Sequence, residues 1–210
     1  MYKLLFLIVF LISSTVYSRP VSYTGGTTVM GMNNGDRISS HIHYSPKYFY
    51  SLGYRFEYWK NKDYVNHFLQ GNYLLKRFNK PASQANIYIK SGVGTSTYLE
   101  GTKDYNKSYF IGSSADWETQ RLYANYAVRY TDVDKIEDFL LHTGAAGFAP
   151  YVGDYGDLHT WILYTFKYNK DKNENKLSHG PKLRFFKSVN LLEIGLDNNK
   201  DLILNLIIRF

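Results

Sequence analysis

Along most of this chain apolar and polar side chains alternate with period two, in one segment after another. Between Lys47 and Trp59 the even positions are Tyr48, Tyr50, Leu52, Tyr54, Phe56 and Tyr58, and Ser51, Gly53, Arg55 and Glu57 lie between them. Successive side chains of a strand point to opposite faces, so this segment is a strand with one oily face and one polar or small face. Farther on, Val65, Leu69, Tyr73 and Leu75 oppose Asn66, Gln70, Asn72 and Lys76, and Ile87, Ile89 and Val93 oppose Asn86, Lys90 and Gly92. Tyr109, Ile111 and Trp117 oppose Gly112, Ser114 and Asp116; Leu122, Tyr126, Val128 and Tyr130 oppose Arg121, Asn125 and Arg129; Ile162, Tyr164 and Phe166 oppose His159, Thr165 and Lys167. Polar turns separate the segments at Asn33-Asn34-Gly35-Asp36, Asn61-Lys62-Asp63, Asn79-Lys80-Pro81 and Asn198-Asn199-Lys200. Alternating segments of about ten residues, divided by turns, are the signature of a transmembrane β-barrel. A soluble sandwich shows the same alternation with its oily face turned inward, so the pattern alone does not say which face is inside.

The two ends of the chain supply that information. The first 18 residues, MYKLLFLIVFLISSTVYS, have one basic residue, Lys3, then an unbroken apolar run from Leu4 to Ile12, then a smaller and more polar stretch. Val16 and Ser18 suit the −3 and −1 sites of a cut before Arg19, so residues 1–18 read as a secretory signal peptide and residues 19–210 as the exported domain. The other end runs Asp201-Leu-Ile-Leu-Asn-Leu-Ile-Ile-Arg-Phe210, with Leu202, Leu204, Leu206, Ile208 and Phe210 on one face and Asn205 and Arg209 on the other. No later run of 18 apolar residues exists that could form a spanning helix.

Composition agrees with a barrel. Aromatic residues make up 18% of the chain, with 21 Tyr and 13 Phe, an excess that a membrane-facing surface explains. The absence of cysteine excludes a disulfide scaffold, a thiolate metal site, a cysteine nucleophile and a Cys-linked lipid anchor. The formal charge of +7 would suit nucleic acid, but export argues against that partner. The expectation is therefore all-β: a single closed antiparallel barrel of about 12 strands, with 10 as the alternative, since single-chain bacterial barrels use even numbers. The stretches Glu100–Lys107 and Asn169–Ser178 read as longer surface loops.

The final strand, ending in Phe210 with Leu206 and Ile208 before it, resembles the assembly signal of Gram-negative outer-membrane barrels. The whole design resembles the small outer-membrane β-barrels of proteobacteria. The stretches His41-Ile-His-Tyr-Ser-Pro46, Leu74-Leu-Lys-Arg-Phe-Asn79, Ser83-Gln-Ala-Asn-Ile-Tyr88, Ala115-Asp-Trp-Glu-Thr-Gln-Arg121 and Ala149–Trp161 are similar to a narrower set of exported proteobacterial proteins with no assigned activity. The resemblance implies a Gram-negative outer membrane, contact with its lipid, and the barrel-assembly machinery as partner. It implies no reaction and no cofactor.

Parity selects the candidate residues. Arg55, Glu57, Lys90, Asp116, Arg121, Arg129, Glu193 and Arg209 share the polar face and are expected inside the barrel. On the lipid face a charge costs roughly 2–4 kcal/mol near the midplane. Opposed acids and bases inside a barrel either line a pore that selects small solutes or ions, or pair up and fill it. His41 and His43, two apart on one strand face, present two imidazoles suited to a divalent metal, with no third ligand evident from spacing. Asp157 and His159 are read as sharing a strand face, with the carboxylate orienting the imidazole. Barrel lipid deacylases and acyltransferases use such groups with a Ser, but no motif marks a nucleophile here. Four readings follow. They are a narrow non-enzymatic channel, a structural or adhesive barrel acting through its loops, a lipid- or peptide-modifying enzyme at Asp157 and His159, and a metal binder at His41 and His43.

Overall fold

The computed structural model describes residues 23–100, 104–154, 156–172 and 175–210. The expected leader and its cut lie outside the described residues. Within them the chain forms twelve strands: β1 (Gly26–Asn34), β2 (Arg37–Lys47), β3 (Tyr50–Trp59), β4 (Tyr64–Lys80), β5 (Ser83–Tyr98), β6 (Asn106–Thr119), β7 (Leu122–Val133), β8 (Glu137–Phe148), β9 (His159–Asp171), β10 (Asn175–Lys187), β11 (Asn190–Leu196) and β12 (Leu202–Arg209). Each pairs antiparallel with the next. β1 closes the ring on β12, from Thr28 opposite Arg209 to Asn34 opposite Ile203. Closure gives every strand a partner on each side, which is what a wall in contact with hydrocarbon requires.

The alternation in the sequence becomes an inside and an outside. Along β2, Arg37, Ser39, His41, His43 and Ser45 are buried, while Ile38, Ile42 and Tyr44 are exposed. The other strands follow the same rule. The outer wall leaves Leu69 70%, Val93 64% and Leu52 60% exposed, with no second layer over it among the described residues. An apolar surface of that extent is unsuited to water and suited to lipid.

Two departures from the sequence reading have physical causes. The expected loop Asn169–Ser178 is mostly strand, because β9 runs to Asp171 and β10 starts at Asn175. Its polarity misleads: Asn169 and Asp171 sit on the inward face, where charge is tolerated, while Tyr168 and Leu177 keep the outward face apolar. Pro181 is accommodated inside β10 because pairing with β11 begins only at Lys182 opposite Gly195, so no ladder is broken by the missing N–H. A bulge between Leu74 and Lys76 in β4 resets parity. Lys76, expected inward, is exposed on the outer face with its Nζ 5.0 Å from the Phe78 ring centroid, and Arg77 turns inward to Asn86.

The two rims differ. The rim that carries Gly26 and Phe210, here the terminal rim, has two-residue turns at 48–49, 81–82, 120–121 and 188–189 and one longer loop at 149–158. The opposite, far rim carries the turns at 35–36, 60–63, 134–136 and 197–201 and the loop after β5. The wall is uneven, with 17 and 16 residues in β4 and β5 against 7 and 8 in β11 and β12.

Candidate functional site

The lumen is where the polar faces of all twelve strands converge. It holds a cavity of about 580 Å³. The lining reaches from Gln84 and Glu118 at the terminal rim to Asn34 and Asp197 at the far rim. Arg55, Lys90, Asp116, Arg129, Glu193 and Arg209 line this cavity, and Glu57 is buried inward among them with no exposed surface. Arg121 does not join them. It sits in the β6–β7 turn, exposed, and its Nη2 donates to the Pro150 carbonyl at 3.0 Å. The two-residue turn ends the strand parity that assigned it inward.

Two carboxylates organise the lumen charge, and each is outnumbered. Glu57 on β3 accepts from Arg55 Nε at 2.8 Å, from Arg37 Nη1 at 3.2 Å, and from Arg129 through Nη1 at 2.5 Å and Nη2 at 3.0 Å. Arg129 belongs to β7, so this pair reaches across the barrel interior. Its guanidinium also lies 4.1 Å from the Phe110 ring centroid. Glu193 on β11 accepts from Lys182 at 2.8 Å, Arg184 at 2.7 Å and the Asn205 amide at 2.7 Å. Asp116 accepts from the Asn86 amide at 2.7 Å. Arg37, Lys182 and Arg184 were missed at the sequence level. Arg37 opens its strand beside a turn, and Lys182 and Arg184 lie in a segment whose first half looks like loop. All three obey the same parity: extending the alternation through residues 175–188 finds Lys182 and Arg184, and carrying that of β2 back to its first residue finds Arg37.

At the far rim apolar side chains pack together inside the ring. Trp59, Tyr64, Val133, Phe139 and Leu141 form a buried cluster drawn from β3, β4, β7 and β8. The Trp59 and Phe139 rings meet edge-on at 4.8 Å. Ion pairs cross above it. Lys62 in the β3–β4 turn binds Glu137 at 2.5 Å and Asp171 at 2.7 Å. Lys167 on β9 binds Asp36 at 2.6 Å and the Asn34 carbonyl at 2.9 Å in the β1–β2 turn. The Tyr64 hydroxyl donates to Glu137 beneath them.

His41 and His43 both point into the lumen, as their spacing demands, with ring centroids 4.7 Å apart. Among the described residues no group of three metal-ligating side chains exists that includes them. Asp157 and His159 do not share a strand face, because β9 begins at His159 and Asp157 lies in the turn before it. The Asp157 carboxylate accepts from the Asp154 backbone N–H at 3.0 Å and so caps that turn. The other three histidines of the described strands occupy the outer wall, each in one repeated arrangement. The Tyr54, Tyr126 and Tyr164 hydroxyls meet Nδ1 of His67, His142 and His179 at 2.5, 2.6 and 2.6 Å. In every pair the His stands two residues from the direct cross-strand partner of the Tyr.

No protein-family model matches the chain, and no curated protein does. Among solved structures it is similar to one titled KdgM porin, with a TM-score of 0.51 and 14% identity over 88% of this chain and 98% of that one. It also matches OccK8 (OprE) of Pseudomonas aeruginosa, with a TM-score of 0.46 and 8% identity over 89% of this chain and 67% of that one. The first likeness spans nearly the whole of both chains and places this protein in the same fold, a closed antiparallel barrel of twelve strands.

Proposed function

We propose that this protein is a porin-like channel of a Gram-negative outer membrane, non-enzymatic, passing small anionic solutes in preference to cations. The observation that carries the reading is the lumen: one cavity whose lining touches both rims, inside a wall with an apolar exterior. The fold shared with a protein titled as a porin supports it, and so do the export signal and final strand read from the sequence. The anion preference follows from charge. Three arginines surround Glu57, and a lysine and an arginine hold Glu193, so each acidic site carries a net positive field. In this reading Arg55, Glu57, Lys90, Asp116, Arg129, Glu193 and Arg209 set selectivity, lipid covers the outer wall, and Leu206, Ile208 and Phe210 engage the assembly machinery. The likeness to a narrower exported set adds a location and no chemistry.

The far-rim aromatic cluster and its ion pairs favour a second reading, a structural barrel with a closed mouth. Planar-bilayer recording of refolded protein in a salt gradient separates the two. The channel predicts steady openings with an anion-selective reversal potential, and Lys182→Ala moves that potential toward cations. Silence from protein shown to be folded overturns the channel reading and leaves the closed barrel.

A further inference from the structure

One face of the lumen carries more cation than its partners absorb. His41 on β2 and Arg55 on β3 are directly opposed across the ladder. His41 is 4% exposed, and its Nε2 has no hydrogen-bond partner among the described residues. Arg55 commits Nε to Glu57 and Nη1 to the Gln70 amide oxygen at 3.4 Å. Its Nη2 carries no protein bond among the described residues. Gln70 in turn donates to Asn72 at 2.5 Å, and Asn72 to Ser51 at 2.9 Å, so the amides beside Arg55 are held in a fixed row.

Lys90 reaches the same space from β5, where it stands opposite Asn72. Its ammonium makes no ion pair among the described residues. The carboxylate that acts on it electrostatically, Asp116, is engaged by Asn86, and Arg55 and His41 both lie within its field. Glu57, the other nearby acid, is enclosed by three arginines and has no exposed surface. A positive charge in a low-dielectric wall with no counter-charge of its own draws an anion from solution.

We propose that His41, Arg55 and Lys90 form a lumen binding site for a small divalent oxyanion, of the class of sulfate and phosphate. This rests on the channel reading only in requiring that water and ions enter the lumen. Three donors of different shape converge from three strands: an imidazole N–H, one arm of a guanidinium and an ammonium. A tetrahedral oxyanion has an oxygen for each, and two charges to match the cluster; chloride offers neither advantage.

Isothermal titration of sulfate into detergent-refolded full-length protein, at constant ionic strength with chloride as the replaced ion, tests the site. Saturable binding at one ion per barrel is expected, and Lys90→Gln and His41→Gln each weaken it about tenfold or more, the effect of losing one charge-assisted hydrogen bond. Lys76→Gln, on the outer wall, leaves the affinity unchanged. Arg55 is left intact in these variants because its loss disturbs the Glu57 cluster and with it the fold. No saturable binding by folded wild-type protein overturns the site, as does wild-type affinity in both variants. The bilayer experiment stays independent. Sulfate binding by a barrel that passes no current upholds the site and sinks the channel, and a conducting barrel that binds no sulfate does the reverse.

Discussion

At the scale of the residue, the lumen is governed by Glu57. One carboxylate with no exposed surface holds three arginines that would otherwise repel one another in a confined space. Breaking a buried ion network by removing one partner is costly because the charges left behind have nowhere to go. Glu57→Gln is expected to lower stability by about 3–5 kcal/mol in urea unfolding from lipid vesicles. On the outer wall the polar cost is met differently. His67, His142 and His179 would each turn an imidazole toward lipid, and each is answered by a tyrosine hydroxyl at the same diagonal offset. A polar group left without its partner where lipid excludes water costs about 1–3 kcal/mol. Tyr126→Phe, which keeps the ring and removes only the hydroxyl, is expected to destabilise the barrel by that amount in the same assay, and Tyr54→Phe and Tyr164→Phe should do likewise.

At the scale of the strand, bulges and inward-facing glycines shape the wall. A Cβ built on Gly94 in β5 would come 1.7 Å from the His67 carbonyl oxygen, and one on Gly53 in β3 2.1 Å from that of Ile42. These strands approach their neighbours too closely for any side chain, which is how a curved sheet draws in at its kinks. Gly94→Ala forces the β4–β5 ladder apart and is expected to cost about 1–3 kcal/mol, the usual range for an added group in a packed site. Reduced folding efficiency in vesicles, read from the heat-modifiable gel mobility of barrels, measures it; wild-type folding would mean that the strands part freely there. The bulge at Leu74–Lys76 belongs to this scale as well. It places Lys76 outside near the terminal rim and aims Arg77 at Asn86, reversing what unbroken alternation predicts.

At the scale of the whole molecule, the far mouth is tied by lysines from opposite sides of the ring. Lys62 is 40% exposed at its side chain, so its pairs with Glu137 and Asp171 add little to stability, within about 1 kcal/mol. In the channel reading proposed above, their effect falls on the opening. The Debye length falls from about 10 Å at 0.1 M salt to about 3 Å at 1 M, so partly exposed ties weaken with salt. Single-channel conductance should then rise more steeply than bulk conductivity between these concentrations, and Lys62→Ala should flatten that excess while leaving the unfolding free energy within about 1 kcal/mol of wild type. Proportional scaling in both proteins would mean that the ties do not gate the mouth.

Much of this was already legible in the residues themselves. Alternation depends only on the backbone's period of two, a local property, so the strands, the all-β class and the common face of Arg55, Glu57, Lys90, Asp116, Arg129, Glu193 and Arg209 could be read residue by residue, while the two ends of the chain said which face turns inward. Local reading failed wherever the period breaks: at the turn holding Arg121, at the β4 bulge, at the turn that separates Asp157 from β9, and in the polar half of β10. Partnership was beyond its reach. That Arg129 crosses the interior to Glu57, that Lys167 reaches Asp36, and that His41 and Arg55 lie within the field of Lys90 follow from the register and closure of the ring. Both are set by all twelve strands together, through contacts between residues as far apart in the chain as Thr27 and Phe210.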